Sequence, residues 1–263
     1  MTMYNRIRQR SFGAPRAISA LMLREMATSY GRSPGGYIWA VLEPAAGIAL
    51  LSLVFAAAFR TPSLGVSFPM FYATGVLPFI MFTDVQGKIA QSLLFSKQLL
   101  TYPTVTFVDA MMARFILNTI TQLIVGYIIL MGCIMLFETR VTPDLAIIVQ
   151  AYALTALLSL GIGILNCFLF SRFAVMQRAW SIIMRPMFII SCIFFTFESV
   201  PQQYQTYLWY NPLVHIIGLM RRGFYGTYDA TYVSIPYLVG LSLVCMVAGL
   251  LFLRRYHRDI LHR

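Results

Sequence analysis

Residues able to carry acid–base, nucleophilic or metal chemistry are few in this chain and lie far apart. The sequence has nine acidic residues and three histidines. His257 and His262 lie in the C-terminal tail, and His215 follows Pro212 in a separate segment. We find no H-x-x-x-H spacing, no pair of acids within the apolar segments and no G-x-S-x-G turn. The sequence therefore predicts no catalytic centre and no metal site.

A nucleotide site is also not predicted. A P-loop requires G-x-x-x-x-G-K-[ST], whose backbone N–H groups surround the phosphates. The nearest fragment is DVQGKIA, which lacks the first glycine and the hydroxyl residue. Within this fragment Asp84 and Lys88 are four residues apart, a spacing typical of an ion pair within one helix. Any ATP hydrolysis that serves this chain must come from a partner.

Arg185 is the charged residue with the most unusual setting. It precedes Pro186 within the apolar stretch SIIMRPMFIISCIFF. A charge inside a membrane segment is expensive, and it usually faces a cavity or a partner. Three interpretations are open: Arg185 meets an anion in a cavity, extends to the membrane interface, or pairs with Asp109 or Glu43.

The elements that must position these residues are membrane helices. Hydrophobic residues make up 59% of the chain and charged residues 11%, whereas about a quarter of a soluble domain is charged. A membrane helix needs about 20 mostly apolar residues. Six segments qualify, at residues 38–59, 69–88, 116–137, 145–170, 179–197 and 236–253. We attribute the net charge of +11 to basic loops that orient the chain, and not to nucleic-acid binding.

An even number of spans places both termini on one side of the membrane. Sixteen of the 20 lysines and arginines lie in the segments on the side of the termini. The other four are Arg60, Arg140, Arg221 and Arg222. Because basic residues concentrate in cytoplasmic loops, both termini are predicted to be cytoplasmic. Two connections are longer than a turn requires, the cytoplasmic segment 89–115 and the extracytoplasmic segment 198–235.

Residues 1–37 form a cytoplasmic arm ahead of the membrane domain, residues 38–263. Within the arm Ile18, Met22, Met26 and Tyr30 recur every fourth residue. This spacing predicts an amphipathic helix in the cytoplasmic interface, or a surface helix that only anchors the terminus. The glycines and proline of residues 31–36 predict a hinge from this helix into the first span.

Two motifs resemble a known family. LREMATSYGRSPGGYIWAVLEP, Leu23 to Pro44, and NPLVHIIGLMRRGFYGTYD, Asn211 to Asp229, resemble motifs of ABC transporter permeases of the type-2 export class. In particular they resemble the capsular polysaccharide export permeases, and size and span count agree along the whole chain. Ser29 is a departure, since many relatives of the wider class have an arginine there.

The resemblance implies an all-α, polytopic half-transporter in the bacterial inner membrane, with short re-entrant helices before the last span. Two copies would form the pore, lined by the first and fifth spans, and two copies of a separate ATPase would bind below. ATP and magnesium would be held by the ATPase, and this chain would hold no cofactor. Periplasmic and outer-membrane proteins would continue the route, with membrane lipids around it.

The segment LLFSKQLLTYPTVTF, Leu93 to Phe107, resembles the coupling helix that fits a groove in the ATPase. It would offer an apolar knob with charges around it, Lys97 within the segment and Arg114 beyond it. The predicted coupling residues are Lys97, Leu99, Leu100, Tyr102 and Pro103. An ordinary helix hairpin between two spans is the alternative.

Aromatic and basic residues near both mouths are candidates for the glycan path, because sugar rings stack on aromatic faces and acidic sugars require positive charge. The same aromatic residues are also typical of the belts at membrane surfaces. The candidates are Tyr37, Trp39, Arg178, Arg185, Tyr207, Trp209, Tyr210, Arg221 and Arg222.

The leading hypothesis is thus the permease subunit of an ATP-driven exporter that moves capsular polysaccharide across the inner membrane. The resemblance implies that this polysaccharide is lipid-linked and acidic. Three alternatives remain at this point. The cargo could be an O-antigen, a teichoic acid or a drug. The chain could be an intramembrane enzyme of glycan or lipid metabolism, although no catalytic constellation supports this. A secondary transporter would show an internal repeat, which we do not find.

Overall fold

The fold consists of ten α-helices along the part of the chain that a computed structural model describes, residues 13–29, 35–96 and 106–261. The arm carries α1 (Gly13–Ser29), and the first helix of the bundle is α2 (Tyr37–Ala58). The remaining helices are α3 (Phe68–Ala90), α4 (Ser92–Ser96), α5 (Phe107–Leu136), α6 (Leu145–Arg172), α7 (Ala174–Ile190), α8 (Gln202–Trp209), α9 (Pro212–Phe224) and α10 (Ile235–Leu261). The prediction of an all-α, polytopic membrane protein is confirmed.

Five of these helices, α2, α3, α5, α6 and α10, are long and apolar enough to cross a membrane. The predicted fifth span, residues 179–197, is wrong in its bounds. The helix there is α7, which has 17 residues and ends at Ile190. At 1.5 Å per residue it is about 26 Å long, shorter than the hydrocarbon core of about 30 Å. Six membrane crossings therefore remain a prediction.

The third long helix begins nine residues earlier than its apolar run predicts. Thr106 and Asp109 form a capping box, in which each side chain accepts a hydrogen bond from the backbone N–H of the other. This arrangement satisfies donors that a helix start otherwise leaves unpaired. As a result the N-terminal end of α5 extends well beyond the apolar segment, into the region predicted to couple to the ATPase.

The hinge between the arm and the first span is described only at its end. Gly35 and Gly36 have φ angles of 93° and 37°, a region that glycine enters without the steric penalty of a side chain. Helix α2 begins directly after them, at Tyr37. Gly31 and Pro34, which the sequence also assigns to the hinge, lie outside the described residues.

The core of the bundle is formed by α3 and α6, which bury most of their length, whereas α2 and α10 are mostly exposed. Helices α8 and α9 lie between α7 and α10, as predicted for the segment before the last span. Helix α9 packs against both α3 and α6, and 11 of its 13 residues are buried. The outer segment thus enters the helix bundle and does not lie on its surface.

Helices α6 and α10 approach each other closely at two glycines. A Cβ atom on Gly161 of α6 would collide with the backbone oxygen of Ser242. A Cβ on Gly249 of α10 would lie 2.7 Å from the backbone nitrogen of Leu165. Small residues of this kind let membrane helices pack backbone to backbone.

We expect Gly161→Ala and Gly249→Ala each to lower the free energy of unfolding by about 1–3 kcal/mol, the usual cost of overpacking a core. The matched control is Gly240→Ala, also on α10, where an added Cβ meets no atom within 4 Å. Alanine favours helix over glycine by about 1 kcal/mol, so the control should be neutral or stabilising. Thermal unfolding in detergent measures all three, and equal stability of the three variants would contradict close packing at this crossing.

Candidate functional site

The predicted coupling residues Lys97, Leu99, Leu100, Tyr102 and Pro103 lie outside the described residues. The structure describes what borders them, α4 on one side and the start of α5 on the other. Their role in binding an ATPase stays a prediction.

A buried ion pair lies beside this segment. Arg114 Nε of α5 donates to Glu25 Oε2 of α1 at 3.1 Å, and the two side chains are 7% and 4% exposed. The same guanidinium donates through Nη1 to the backbone oxygen of Lys88 at 2.8 Å. Its carbon also lies 4.1 Å from the centre of the Phe95 ring on α4. One arginine thus connects α1, α3, α4 and α5.

This arrangement corrects one expectation from the sequence, because Arg114 was expected to offer charge around the coupling knob and is instead buried. On α1 the most buried residue described is Glu25, while Met26 is 38% exposed and Met22 is half-buried. The predicted location of α1 in the membrane interface remains a prediction. A polar anchor, in addition to apolar contact, holds α1 against the bundle.

Four of the predicted glycan-path residues lie on α2 and α7, and all four are exposed in the protomer: Tyr37, Trp39, Arg178 and Arg185. The two ion pairs among the described residues involve other arginines, so Arg185 pairs with neither Asp109 nor Glu43. Asp109 is occupied by the capping box of α5. The interpretation of Arg185 as a structural ion pair within the protomer is therefore wrong.

Between α2, α3, α5 and α7 lies a cavity of about 620 Å³. Its polar lining consists of Glu43, Thr83, Asp84 and Gln122, and its aromatic lining of Trp39 and Phe188. Asp84 Oδ2 accepts a hydrogen bond from Gln122 Nε2 at 2.6 Å. The expectation that no two acids meet in the apolar segments is wrong, since Glu43 and Asp84 line one cavity. The expected ion pair between Asp84 and Lys88 does not form.

Arg221 differs most from its predicted position at an exposed exit. It is 1% exposed, and its Nη1 and Nη2 donate to the backbone oxygens of Phe195 and Ile193, both at 2.8 Å. Its guanidinium carbon lies 4.2 Å from the centre of the Phe71 ring. These carbonyls belong to the turn that follows α7, where Cys192 has a φ of 60°. Arg221 thus fixes the turn that ends α7 early.

Arg222, the next residue, remains at the surface. Its Nε lies 3.8 Å from Asp229 Oδ1, and both side chains are largely exposed. Tyr207 and Tyr210 are 77% and 64% exposed, whereas Trp209 is half-buried and donates through Nε1 to the backbone oxygen of Tyr232 at 3.0 Å. Of the outer candidates, only Arg222, Tyr207 and Tyr210 offer an open surface.

His215 is a buried polar residue that the sequence did not assign to a role. Its Nδ1 accepts a hydrogen bond from the backbone N–H of Ser234 at 3.1 Å, so Nε2 carries the proton and donates to the backbone oxygen of Trp209 at 2.7 Å. Burial lowers the pKa of the His215 imidazole, which favours this neutral form. His215 links α9 to the segments on both sides of it, a structural role.

Metal chemistry has no support in the described part of the chain, where no three His, Cys, Asp or Glu side chains are placed to hold an ion. The described residues therefore form two buried contact sites, around Arg114 and around Arg221, and a polar cavity between α2, α3, α5 and α7.

Comparison with known proteins supplies the context for this arrangement. The family profile described as "ABC-2 type transporter" matches residues 16–225. The chain is 34% identical over 237 residues to the polysialic acid transport protein KpsM of Escherichia coli, covering 90% of this chain and 92% of the relative.

Two further relatives carry related descriptions. The chain is 27% identical over 246 residues to the capsule polysaccharide export inner-membrane protein CtrC of Neisseria meningitidis serogroup A, and 24% identical over 246 residues to the capsule polysaccharide export inner-membrane protein BexB of Haemophilus influenzae. Both alignments cover 93% of this chain and 92% of the relative.

Proposed function

The chain belongs to the ABC-2 type transporter family, and we propose that it is the membrane permease subunit of an ATP-driven exporter that moves capsular polysaccharide across the bacterial inner membrane. The observation that carries this proposal is the 34% identity to a polysialic acid transport protein over about nine-tenths of both chains, together with the similarity to two capsule polysaccharide export inner-membrane proteins. The apolar helices α2, α3, α5, α6 and α10 support a multi-pass location. An exporter of O-antigen, teichoic acid or a drug is the alternative within the same class.

Energy for export comes from a separate ATPase that binds ATP and magnesium. The absence of a P-loop motif from the given sequence supports this division of labour. The contact of Arg114 with α1, α3 and α4 supports a docking site at residues 97–105, because it makes the flanks of that segment rigid. A movement of the ATPase against this segment is then transmitted to α1 and to the two long helices α3 and α5 together.

A second copy of the chain completes the pore. Helix α7 buries none of its residues within the protomer, and α2 buries only Pro44, Ile48 and Ser52. An apolar helix surface without partner helices faces either lipid or another copy. The cavity between α2 and α7 and the two exposed arginines of α7 favour a second copy on this side, since a polar face toward lipid is costly.

The cargo is an acidic polymer. The first relative named above transports polysialic acid, whose sugars carry carboxylates. Arg178 and Arg185 are exposed on α7, and neither forms an ion pair with any of the described residues. Envelope proteins of the periplasm and outer membrane receive the polymer, and Tyr207, Tyr210 and Arg222 are the surface residues available for that contact.

We expect Arg185→Gln to reduce export of an acidic polymer about fivefold, which corresponds to about 1 kcal/mol, because a positive charge at a low-dielectric entrance counts for more than in water. Arg185→Lys should retain part of the activity, since charge survives and fork geometry does not. Arg60→Gln, an exposed arginine of the outer loop, is the control. Surface polymer is quantified against permease abundance, and a loss of export that follows abundance alone would contradict this role.

The experiment that tests the proposed function is co-expression of this chain with its cognate ATPase. We expect a stable membrane complex whose ATP turnover resides in the partner, and no ATP turnover by the purified chain alone. Replacing Leu99 and Leu100 with aspartate should release the ATPase while the permease stays in the membrane. ATP hydrolysis by the chain alone, or a complex unchanged by these substitutions, would overturn the proposal.

A further inference from the structure

The cavity between α2, α3, α5 and α7 combines polar groups that the membrane normally excludes. Its lining residues include two carboxylates, Glu43 and Asp84, and no lysine or arginine. Lys88, one turn from Asp84, does not come within the 4 Å of an ion pair. Carboxylates without a cationic partner are expensive inside a membrane, and such residues mark substrate pathways by default. The cavity's volume of about 620 Å³ lies within the range of ligand sites, about 300–1,000 Å³.

The two carboxylates lie at one depth. Glu43 is six residues from the start of α2, and Asp84 is six residues from the end of α3. At 1.5 Å per residue each lies about 9 Å from its helix end, and both ends are those predicted to be cytoplasmic. The cavity therefore lies in the inner half of the bundle, where a cargo would first enter.

The hydrogen-bonding groups of the cavity are mostly acceptors. Gln122 Nε2 is used by Asp84 Oδ2, and the Thr83 hydroxyl donates to backbone oxygens of its own helix. The second oxygen of Asp84, the carboxylate of Glu43 and Oε1 of Gln122 form no hydrogen bond with the described residues. These three acceptor groups lie beside the rings of Trp39 and Phe188. Glu43 and Asp84 are exposed in the protomer, so their oxygens are accessible to a ligand.

We propose that this cavity is a subsite for the hydroxyl face of a sugar unit of the cargo, with Asp84, Glu43 and Gln122 accepting hydrogen bonds from sugar hydroxyls and Trp39 or Phe188 packing on the ring. The inference rests on the proposed function and adds the chemical group that is recognised. Sugar hydroxyls supply donors where the site has acceptors, and apolar ring faces match aromatic side chains. A metal ion fits less well, since the described residues hold no three-ligand group.

The site also excludes one part of the cargo. A sugar carboxylate placed here would meet Glu43 and Asp84 in a low-dielectric setting, where like charges repel strongly. The acidic groups of the polymer are therefore directed away from this cavity, and Arg178 and Arg185 on α7 are the exposed cations available to them. The hydroxyl groups and the acid groups of the polymer therefore bind at separate places on the protein.

Gly47 provides a direct probe of occupancy. It lines the cavity, and an added Cβ there meets no atom within 4 Å, so Gly47→Cys should fold normally. The natural Cys133, Cys167 and Cys192 are buried, and Cys245→Ala removes the partly exposed one. In the complex with its ATPase, maleimide labelling of Gly47→Cys is measured with increasing oligosaccharide cut from the strain's own capsule. Gly240→Cys, on exposed α10, is the control.

We expect the oligosaccharide to slow labelling at position 47 and not at position 240. Its carboxyl-reduced form, in which each acid becomes an alcohol, should protect at least as well. In the Gly47→Cys background, Asp84→Asn and Glu43→Gln should each raise the concentration for half-protection about tenfold, or about 1.4 kcal/mol, because hydrogen bonds to charged groups are the stronger ones. Glu138→Gln, an exposed acid of the outer loop, should leave it unchanged.

Several results would overturn the subsite. These are protection only by the acidic form, equal protection at positions 47 and 240, or unchanged half-protection in both neutral variants. If Asp84→Asn fails to fold, Glu43→Gln and two variants of Trp39 test the subsite instead. Trp39→Phe should retain protection of position 47 by the oligosaccharide, and Trp39→Ala should lose it. Export by the Gly47→Cys chain is scored in parallel in cells. Normal export of capsule without protection would refute the subsite and leave the proposed function intact.

Discussion

Replacing Arg221 with methionine is expected to lower the free energy of unfolding by about 3 kcal/mol and to deplete the permease from the membrane. The guanidinium makes two hydrogen bonds of 2.8 Å to the carbonyls of Ile193 and Phe195. These carbonyls lie in a turn, so no helix N–H is available to replace the lost donor. Two buried acceptors are then left unpaired, and hydrogen bonds from a charged donor contribute about 1.5–3 kcal/mol each.

An opposing effect reduces this loss. Arg221 is buried without a carboxylate partner, and removing a desolvated charge is favourable by itself. The hydrogen bonds and the contact of the guanidinium carbon with the Phe71 ring, 4.2 Å from its centre, offset that desolvation. We expect them to outweigh it, because the hydrogen bonds that Asn211, at the start of α9, donates to Ile190 O and Ser191 Oγ are between neutral groups and are weaker than those of a charged donor.

Arg221→Lys should recover about half of the loss, since an ammonium can reach only part of the fork geometry. The matched control is Arg222→Met. Arg222 meets only the exposed Asp229, at 3.8 Å, and exposed pairs contribute about 0–1 kcal/mol. Thermal unfolding in detergent and membrane abundance are measured for the series. Equal stability of Arg221→Met and Arg222→Met would show that Arg221 does not anchor the turn.

Removing either partner of the Glu25–Arg114 pair is expected to cost about 3–5 kcal/mol, as for other buried pairs in which one charge is left alone. Glu25→Ala leaves the Arg114 guanidinium without its carboxylate partner, although the guanidinium keeps its contacts with the backbone oxygen of Lys88 and with the Phe95 ring. Arg114→Ala strands Glu25 and also removes those two contacts. We therefore expect Arg114→Ala to be the more damaging of the two.

A double-mutant cycle separates the pair from its surroundings. Glu25→Leu with Arg114→Met should be less destabilising than the sum of the two single changes, because the double variant buries no lone charge whereas each single variant does. Exchanging the two residues should not restore the wild type, since a glutamate at position 114 cannot donate to Lys88 O. Arg16→Ala, an exposed arginine on α1, is the control.

Protease sensitivity of α1 and the coupling of ATP turnover to export are the readouts of this cycle. If the pair holds the arm beside the coupling segment, the single variants should expose α1 to cleavage and uncouple ATP turnover in the protein that remains folded. Additive free energies in the cycle, with α1 still protected, would contradict this role.

The long apolar helices could be predicted from the sequence because hydrophobicity and length decide membrane insertion. Their ends could not be placed as well. Helix α5 starts early at a capping box involving Thr106 and Asp109. Helix α7 ends early because the following turn is held by Arg221, 28 residues further along the chain. The first cause is local and visible as T-x-x-D, whereas the second depends on tertiary contact.

The candidate site was only partly predictable. Arg178, Arg185, Tyr207 and Tyr210 are exposed as expected, but their contact with a glycan remains a prediction. The cavity joins Glu43, Asp84 and Gln122 from three helices, and no spacing within one segment reveals such convergence. The burial of Glu25 could not be predicted for a different reason. An acid in an amphipathic helix normally lies on the solvent face, whereas Glu25 lies on the face of α1 that packs against the bundle.

Transport of capsular polysaccharide across the inner membrane by this chain is tested most directly by the location of the polymer in a strain that lacks the chain and keeps its ATPase and its capsule synthesis. We expect the polymer to accumulate inside the cell, with none at the surface, and a plasmid copy of the chain to restore surface capsule. Normal surface capsule in the strain without the chain, at an unchanged total amount of polymer, would contradict the account.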